Sequence, residues 1–347
     1  MNFAMLLGRS NQLRPAITCL ERAVKGFRRC LFAGDAQHIF STNTDAIKKP
    51  RVETLVLLRH GESEGNVAYD LSIKGDHSLY AGDFLERHSS LWRLTEKGED
   101  QAKIAGEWLR DNNLSRFDCL YTSEYVRAME TSGLLGLKDV KWRSDLMLRE
   151  RDWGEWDLCS QQERRENFGN YERRRRRESL FWAPPGGESL AQVVQRVDSF
   201  LMFVNRRFSG GKVFITCHGE LMWAFRLRFE RLTQLQYREM QAQRSTEEKI
   251  HNCQLIVYSR RCPETGTLHP SFRFMRFVCP WDLSRSGGDS WRSLHRSGGS
   301  TNGQLLEQAR RFPRMYNNRS SSMQDPELRR HLRAYQVVSS SSVARAP

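Results

Sequence analysis

Apolar and polar positions follow two rhythms along this chain. Residues 55–58 form a continuous apolar run that ends at Arg59-His60-Gly61, the pattern of a buried strand entering a turn. Thr95 then opens a predicted helix with Glu96, Lys97, Glu99 and Asp100 in its first turn and Ala102, Ala105, Trp108 and Leu109 on one face. Residues 119–121 read as a short strand, with a helix starting at about Tyr125. A Pro184-Pro185-Gly186-Gly187 turn precedes the clearest amphipathic helix, which carries Leu190, Val193, Val194, Val197, Phe200, Leu201 and Val204 at helical spacing. Gly210-Gly211 ends it, and 213–215 is a second buried strand running into Cys217-His218-Gly219. Residues 253–258 and 272–278 alternate as later strands do. Strands separated by helices predict an α/β fold, a three-layer α/β/α arrangement with a mainly parallel central sheet.

The two ends have another character. From Ile17 to Leu31 the positions Ile17, Leu20, Val24, Phe27 and Leu31 share one helical arc, with Arg22, Lys25 and Arg29 opposite. An Arg-rich, acid-poor amphipathic start is what an organelle transit peptide looks like. This predicts mitochondrial import, with a mobile basic arm or an ordinary first helix on a cytoplasmic protein as the alternative. After about residue 283 the chain becomes rich in Ser, Gly and isolated Arg, too poor in apolar residues to offset chain entropy. Three segments are therefore expected: a basic extension over 1–52, a folded domain over 53–283, and a largely disordered tail over 284–347.

Charge sharpens that division. The chain of 347 residues carries a formal net charge of +14, which by itself points toward nucleic acid. The extension holds +6 of it, the tail +7, and the middle only +1, so the folded part does not work through a global positive field. No apolar run approaches the roughly 20 residues of a membrane-spanning helix. The eight cysteines show neither a CxxC pair nor metal-ligand spacing, which favours free thiols in a reducing compartment.

Within the middle, Arg59-His60-Gly61-Glu62-Ser63 and Cys217-His218-Gly219-Glu220 share a form, an apolar strand followed by histidine and glycine. Ligands bind outside the carboxyl ends of strands in open α/β sheets, so both histidines are placed to converge there. Each following glycine would let the backbone approach a ligand closely. Arg127, in the first turn of the helix after Thr122-Ser123, joins Arg59 in offering forked guanidiniums suited to phosphate oxygens. Glu150 lies in Leu148-Arg149-Glu150-Arg151, with Asp152 and Glu155 close enough that spacing alone does not separate them.

Arg59-His60-Gly61-Glu62, Leu94-Thr95-Glu96-Lys97-Gly98, Ser123…Arg127…Thr131, Leu148-Arg149-Glu150 and His218-Gly219 occur in an order that resembles the histidine phosphatase superfamily, in the branch holding phosphoglycerate mutases and related phosphatases. The resemblance covers roughly residues 53–280 and implies a phosphoglycerate mutase-like fold. It further implies that His60 attacks phosphorus and becomes a phosphohistidine. Arg59, Arg127 and His218 would hold the transferring oxygens. Glu150 would protonate the leaving oxygen and then activate water, and Asn66 would touch phosphate or substrate. No metal or other cofactor is required by such a site.

Two stretches depart from the family pattern. Residues 67–92 form an insertion expected over the site entrance, where it would set substrate choice. Arg173-Arg174-Arg175-Arg176-Arg177 occupies the region of a substrate-facing cap, and is either a solvated helical face or a contact for a polyanionic substrate, a protein or RNA. The expected activity is hydrolysis of a phosphate monoester, carried by a small molecule or a phosphoprotein. A mutase, or an idle scaffold or RNA-associated subunit in an organelle, is the alternative. Substrate and oligomeric state are not legible.

Overall fold

A computed structural model describes residues 51–315, apart from 243–248, 287, 295, 297–298 and 313. The transit-peptide reading of the first 50 residues and the chain after 315 lie outside the described residues.

Seven strands make one sheet in the order β3-β2-β4-β1-β5-β6-β7. They are β1 (Thr54–Arg59), β2 (Cys119–Thr122), β3 (Trp142–Ser144), β4 (Lys212–Cys217), β5 (Leu255–Ser259), β6 (Phe274–Val278) and β7 (Trp291–Ser293). The half from β3 to β1 is parallel throughout, whereas β1–β5, β5–β6 and β6–β7 pair antiparallel. The expected α/β fold is therefore present, with the parallel character confined to the half that carries the histidines.

Alternation along β1 builds the three layers, because successive strand residues face opposite sides. Leu55 and Leu57 join a core with Val193, Val197 and Phe200 of one helix and Leu221 to Leu227 of another. Val56 and Leu58 join a second core with Ala102, Ala105, Leu109 and Leu135 on the far face. The helices used below are α1 (Glu64–Ile73), α2 (Glu96–Asp111), α3 (Val126–Leu134), α4 (Gln161–Asn167), α5 (Gly169–Glu178), α6 (Leu190–Arg207) and α7 (Gly219–Phe229). α2 starts where predicted, since Thr95 Oγ1 accepts from Gly98 N at 3.1 Å and caps an otherwise unpaired amide. α6 starts with a capping box between Ser189 and Gln192.

The backbone needs glycine at one crossing for a reason other than ligand approach. A Cβ on Gly61 would lie 2.3 Å from Gly98 O, and one on Gly98 would lie 2.0 Å from Glu62 O. The turn after β1 and the start of α2 thus touch backbone to backbone, which corrects the reading of Gly61 as a ligand contact. Gly219 does face a functional group, with its Cβ position 3.5 Å from Arg59 Nε.

The expectation of a disordered tail from 284 does not fit its first part. β7 adds to the sheet edge, Leu294 is buried, and helix Asn302–Arg310 follows with every residue exposed. Asp289 explains the docking: it accepts from Trp108 Nε1 of α2 at 2.9 Å and pairs with Arg276 of β6. A short segment poor in apolar residues is held by strand pairing, one buried leucine and this carboxylate. Asp289→Ala leaves two partly buried donors without an acceptor, so it should cost about 1–3 kcal/mol in urea unfolding. A change below about 0.3 kcal/mol would mean that this contact does not hold the segment.

Candidate active site

The carboxyl ends of β1, β2 and β4 lie side by side, with Arg59 opposite Cys217 and Thr122 opposite Thr216. That register brings Arg59-His60, Ser123 and His218 to one place. The His60 and His218 rings stand 5.2 Å apart, edge to face. Arg127, one residue into α3, reaches them from the side and donates from Nε to His60 Nε2 at 3.2 Å. Both histidines are almost fully buried, as is Arg127.

The hydrogen bonds fix how His60 is protonated. Its Nδ1 stands 2.7 Å from the Gly61 carbonyl oxygen, and a carbonyl only accepts. The ring proton therefore sits on Nδ1 and the lone pair on Nε2, facing Arg127. Burial first, then the charges of Arg127 and Arg59, push the His60 pKa well below its ordinary value. The imidazole is neutral at neutral pH, the state a nucleophile requires. The same shift withdraws stability as pH falls from the unfolded imidazole's pKa toward the folded one.

His218 is neutral for similar reasons: burial, then Arg127, His60 and Arg59. Ser123 Oγ accepts from Tyr125 N at 3.3 Å and lies 2.8 Å from His218 Nε2. The hydroxyl can accept that amide and give its own proton to Nε2, an assignment that leaves the His218 proton on Nδ1. That Nδ1 and Arg59 Nε are both buried without a partner. Two unpaired polar atoms on facing strand ends are costly unless an anion meets them.

Glu150 sits opposite, its pKa raised by burial and then by the like charge of Glu220, against Arg127 and Arg59. The two acids that spacing left open point to solvent rather than into the site's buried centre. Asp152 is exposed and its Oδ1 accepts from Gly154 N at 2.8 Å, and Glu155 is exposed. Arg196 of α6 holds the loop that presents Glu150, donating to the carbonyls of Met147 at 2.6 Å and Glu150 at 3.4 Å. Glu188, from the Pro-Gly turn, receives both Arg196 and Arg149 at 2.8 and 2.7 Å. Arg151 pairs with Glu220 at 3.2 Å and donates to the Trp182 and Glu188 carbonyls.

Asn66 spends its Oδ1 on Ser63 N at 3.3 Å and Asn252 Nδ2 at 2.9 Å. Asn252 also donates to the His60 carbonyl at 3.1 Å, so Asn66 braces the motif and only its amide group is left for a ligand. The insertion reaches the site where Ser89 O accepts from Arg127 Nη1 at 2.6 Å and where the His88 ring stands 6.4 Å from that of Tyr125. Its beginning is the interior of α1, and its remainder stacks Phe84 on Trp92 with centroids 4.6 Å apart. In α5, Arg174 and Arg177 pair with Glu178, and Arg175 pairs with Glu172 while lying over the Trp153 and Trp182 rings. Sequence reasoning gave no role to Ser89, Ser123, Tyr125, Asn252 or Arg196. Their contacts join segments too distant in sequence for local pattern to signal.

Paired neutral histidines, two guanidiniums and a raised-pKa carboxyl at the strand ends of an α/β sheet define a phosphoryl-transfer site. The sequence profile of the histidine phosphatase superfamily (branch 1) matches residues 55–254, and the chain belongs to that superfamily. It is 32% identical over 191 residues to a 2,3-bisphosphoglycerate-dependent phosphoglycerate mutase of Parvibaculum lavamentivorans, covering 52% of this chain and 82% of the relative. A mutase of the same description from Mesorhizobium japonicum is 33% identical over 180 residues, covering 49% and 78%. Among solved structures, a mycobacterial glucosyl-3-phosphoglycerate phosphatase superposes with a TM-score of 0.47 at 21% identity, covering 70% of this chain and 96% of the other.

Proposed function

We propose that the chain hydrolyses a phosphate monoester through a phosphohistidine on His60. The observation that carries this reading is how the nearby cations are spent. Arg149 and Arg196 are tied to Glu188, and Arg151 to Glu220. Arg59 and Arg127 form no ion pair among the described residues, and Arg59 Nε and Arg127 Nε lie beside the two histidines where a phosphoryl group would meet them. A bisphosphorylated or carboxylated acceptor, such as a phosphoglycerate mutase needs, asks for more positive charge than that pair supplies.

In the first half-reaction the His60 Nε2 lone pair attacks phosphorus in line, and the phosphorus–oxygen ester bond breaks. Arg127 leaves its resting bond to Nε2 and, with Arg59 Nε and His218 Nδ1–H, donates to the transferring oxygens. The leaving oxygen takes the Glu150 proton, and the Asn66 amide completes the cradle. In the second half-reaction the Glu150 carboxylate takes a proton from water as it attacks the phosphohistidine. Inorganic phosphate departs and neutral His60 returns.

Arg127→Ala should lower kcat/KM by roughly 10²–10³-fold, the usual loss for one charge-stabilising donor. Steady-state phosphate release measures it, and a loss under about fivefold would remove Arg127 from the cradle. The mutase reading has a specific support in the two bacterial relatives. Incubating the full chain with a phosphate monoester, with and without 3-phosphoglycerate, separates the two. Phosphate going to water at an unchanged rate supports hydrolysis; transfer to the added acceptor in preference to water sinks it.

A further inference from the structure

The insertion carries a cavity of its own. It measures about 510 Å³ and is walled by Trp92, Phe84 and Leu79, with Glu64, Asp83 and Arg87 also lining it. That volume lies in the range of small-molecule sites. None of Arg59, His60, Arg127, Glu150 or His218 lines it, so it is separate from the phosphate cradle. Asp83 and Arg87 are exposed and form no ion pair among the described residues. Glu64 Oε2 accepts from the backbone N of Arg93 at 2.9 Å, while the Arg93 guanidinium pairs with Glu130. Two carboxylates against one guanidinium, beside stacked aromatic rings, favour a ligand that is flat and positively charged.

Trp92 links this cavity to the nucleophile. Its ring stacks on Phe84 and lies against Gly65, where a Cβ would stand 2.3 Å from Trp92 Cε3. Its Nε1 is buried without a partner, so packing rather than a hydrogen bond sets where the ring lies. The backbone N of Trp92 donates to Ser89 O at 3.4 Å across the 3₁₀ turn Ser89–Leu91. The same oxygen accepts from Arg127 Nη1 at 2.6 Å, and Arg127 Nε donates to His60 Nε2 at 3.2 Å. Arg127 thus covers the lone pair that must attack phosphorus, and the cavity is already formed in this masked state. A ligand shifts an equilibrium toward the conformation that it binds better, so one that fits the cavity as it stands favours the masked nucleophile.

We infer that the insertion cavity is a regulatory site for an aromatic ammonium compound, which on binding holds Arg127 on His60 and weakens phosphate binding. The inference rests on the hydrolase reading for the roles of His60 and Arg127, and adds to it a second ligand outside the cradle. The ring would lie among Trp92, Phe84 and Leu79, and the ammonium would meet Asp83 and Glu64. An anionic ligand with the same ring would meet those carboxylates as like charges.

The test uses the full chain, with tryptamine as probe, indole-3-propionate as its anionic counterpart and vanadate as the phosphate mimic. Calorimetry measures each binding. Tryptamine should bind saturably and roughly tenfold more tightly than indole-3-propionate. Saturating tryptamine should weaken vanadate binding by roughly fivefold or more and then level off, and vanadate should weaken tryptamine by the same factor, because coupling between two sites is reciprocal. Asp83→Asn should cut tryptamine affinity about tenfold, with vanadate affinity and amine-free phosphate release unchanged. The assignment is overturned if tryptamine does not bind saturably, if Asp83→Asn leaves its affinity unchanged, or if saturating tryptamine leaves vanadate affinity unchanged. Competition that never levels off would place the amine in the phosphate cradle and overturn it too. The hydrolase reading fails separately, if phosphohistidine forms and releases nothing to water; the coupling of tryptamine to vanadate still decides the role of the cavity.

Discussion

Glu150→Gln should lower kcat/KM, which reports the phosphorylation step, by roughly 10²–10⁴-fold on alkyl phosphates, the range removed with a positioned general acid. The loss should be much smaller on an aryl phosphate, whose phenolate leaves without a proton. Glu150 also serves the second step in this account, so phosphoenzyme should accumulate in the variant on the aryl substrate. The pH dependence follows from the direction of its shift. Burial and Glu220 raise the Glu150 pKa, so the protonated acid persists to higher pH than an ordinary carboxyl. In wild type the alkyl-ester rate should fall as pH rises through that raised pKa, and the variant should lose this limb. A raised pKa also means that Glu150 takes stability away as pH rises from the unfolded carboxyl's pKa through the folded one. Glu150→Gln is therefore expected to melt higher than wild type at neutral pH while being nearly inactive. Equal losses on alkyl and aryl esters, or a lower melting temperature, would argue against Glu150 as the acid.

Gly98→Ala should be the most damaging single-methyl change outside the catalytic residues. The added Cβ would sit 2.0 Å from Glu62 O and 2.8 Å from Glu62 N, and backbone atoms cannot swing aside as a side chain can. Overpacking of this kind costs about 1–3 kcal/mol. Thr95 N and Oγ1 also bond to Glu62 O, and Lys97 pairs with its carboxylate at 2.7 Å, so the turn cannot retreat without losing these contacts. Because Glu62 lies two residues from His60, the displacement should reach the nucleophile too. Thermal unfolding beside single-turnover phosphorylation would measure both effects. A protein of wild-type stability would mean that the crossing of the β1 turn and α2 is looser than these distances imply.

Much of the site was legible in the sequence because its chemistry sits at strand ends, where an apolar run stops at a charged or ring-bearing residue. Arg59-His60 and Cys217-His218 announce themselves in that way, and α2 and α6 do so through their caps and one-sided apolar faces. Helix α7 was not legible as an amphipathic helix. Leu221, Met222, Trp223, Ala224, Phe225 and Leu227 are all buried, so no polar face marks its period. The antiparallel half of the sheet also escaped, since alternation in 253–258 and 272–278 fixes a strand but not its direction. Composition alone misjudged the segment after 283, where Asp289 and Leu294 outweigh the surrounding Ser and Gly. The holders of the site, Ser89, Asn252 and Arg196, act through carbonyls or amides brought from far along the chain, and no spacing rule reports such contacts.

The central claim is that phosphate passes through His60. The direct measurement is a rapid quench of the full-length chain with a radiolabelled phosphate ester, followed by peptide mapping of the label. The account predicts an acid-labile, alkali-stable phosphate on the peptide containing His60, formed before phosphate appears in solution and absent from His60→Ala, which should not turn over. Label on another residue, or undiminished turnover by His60→Ala, would contradict it.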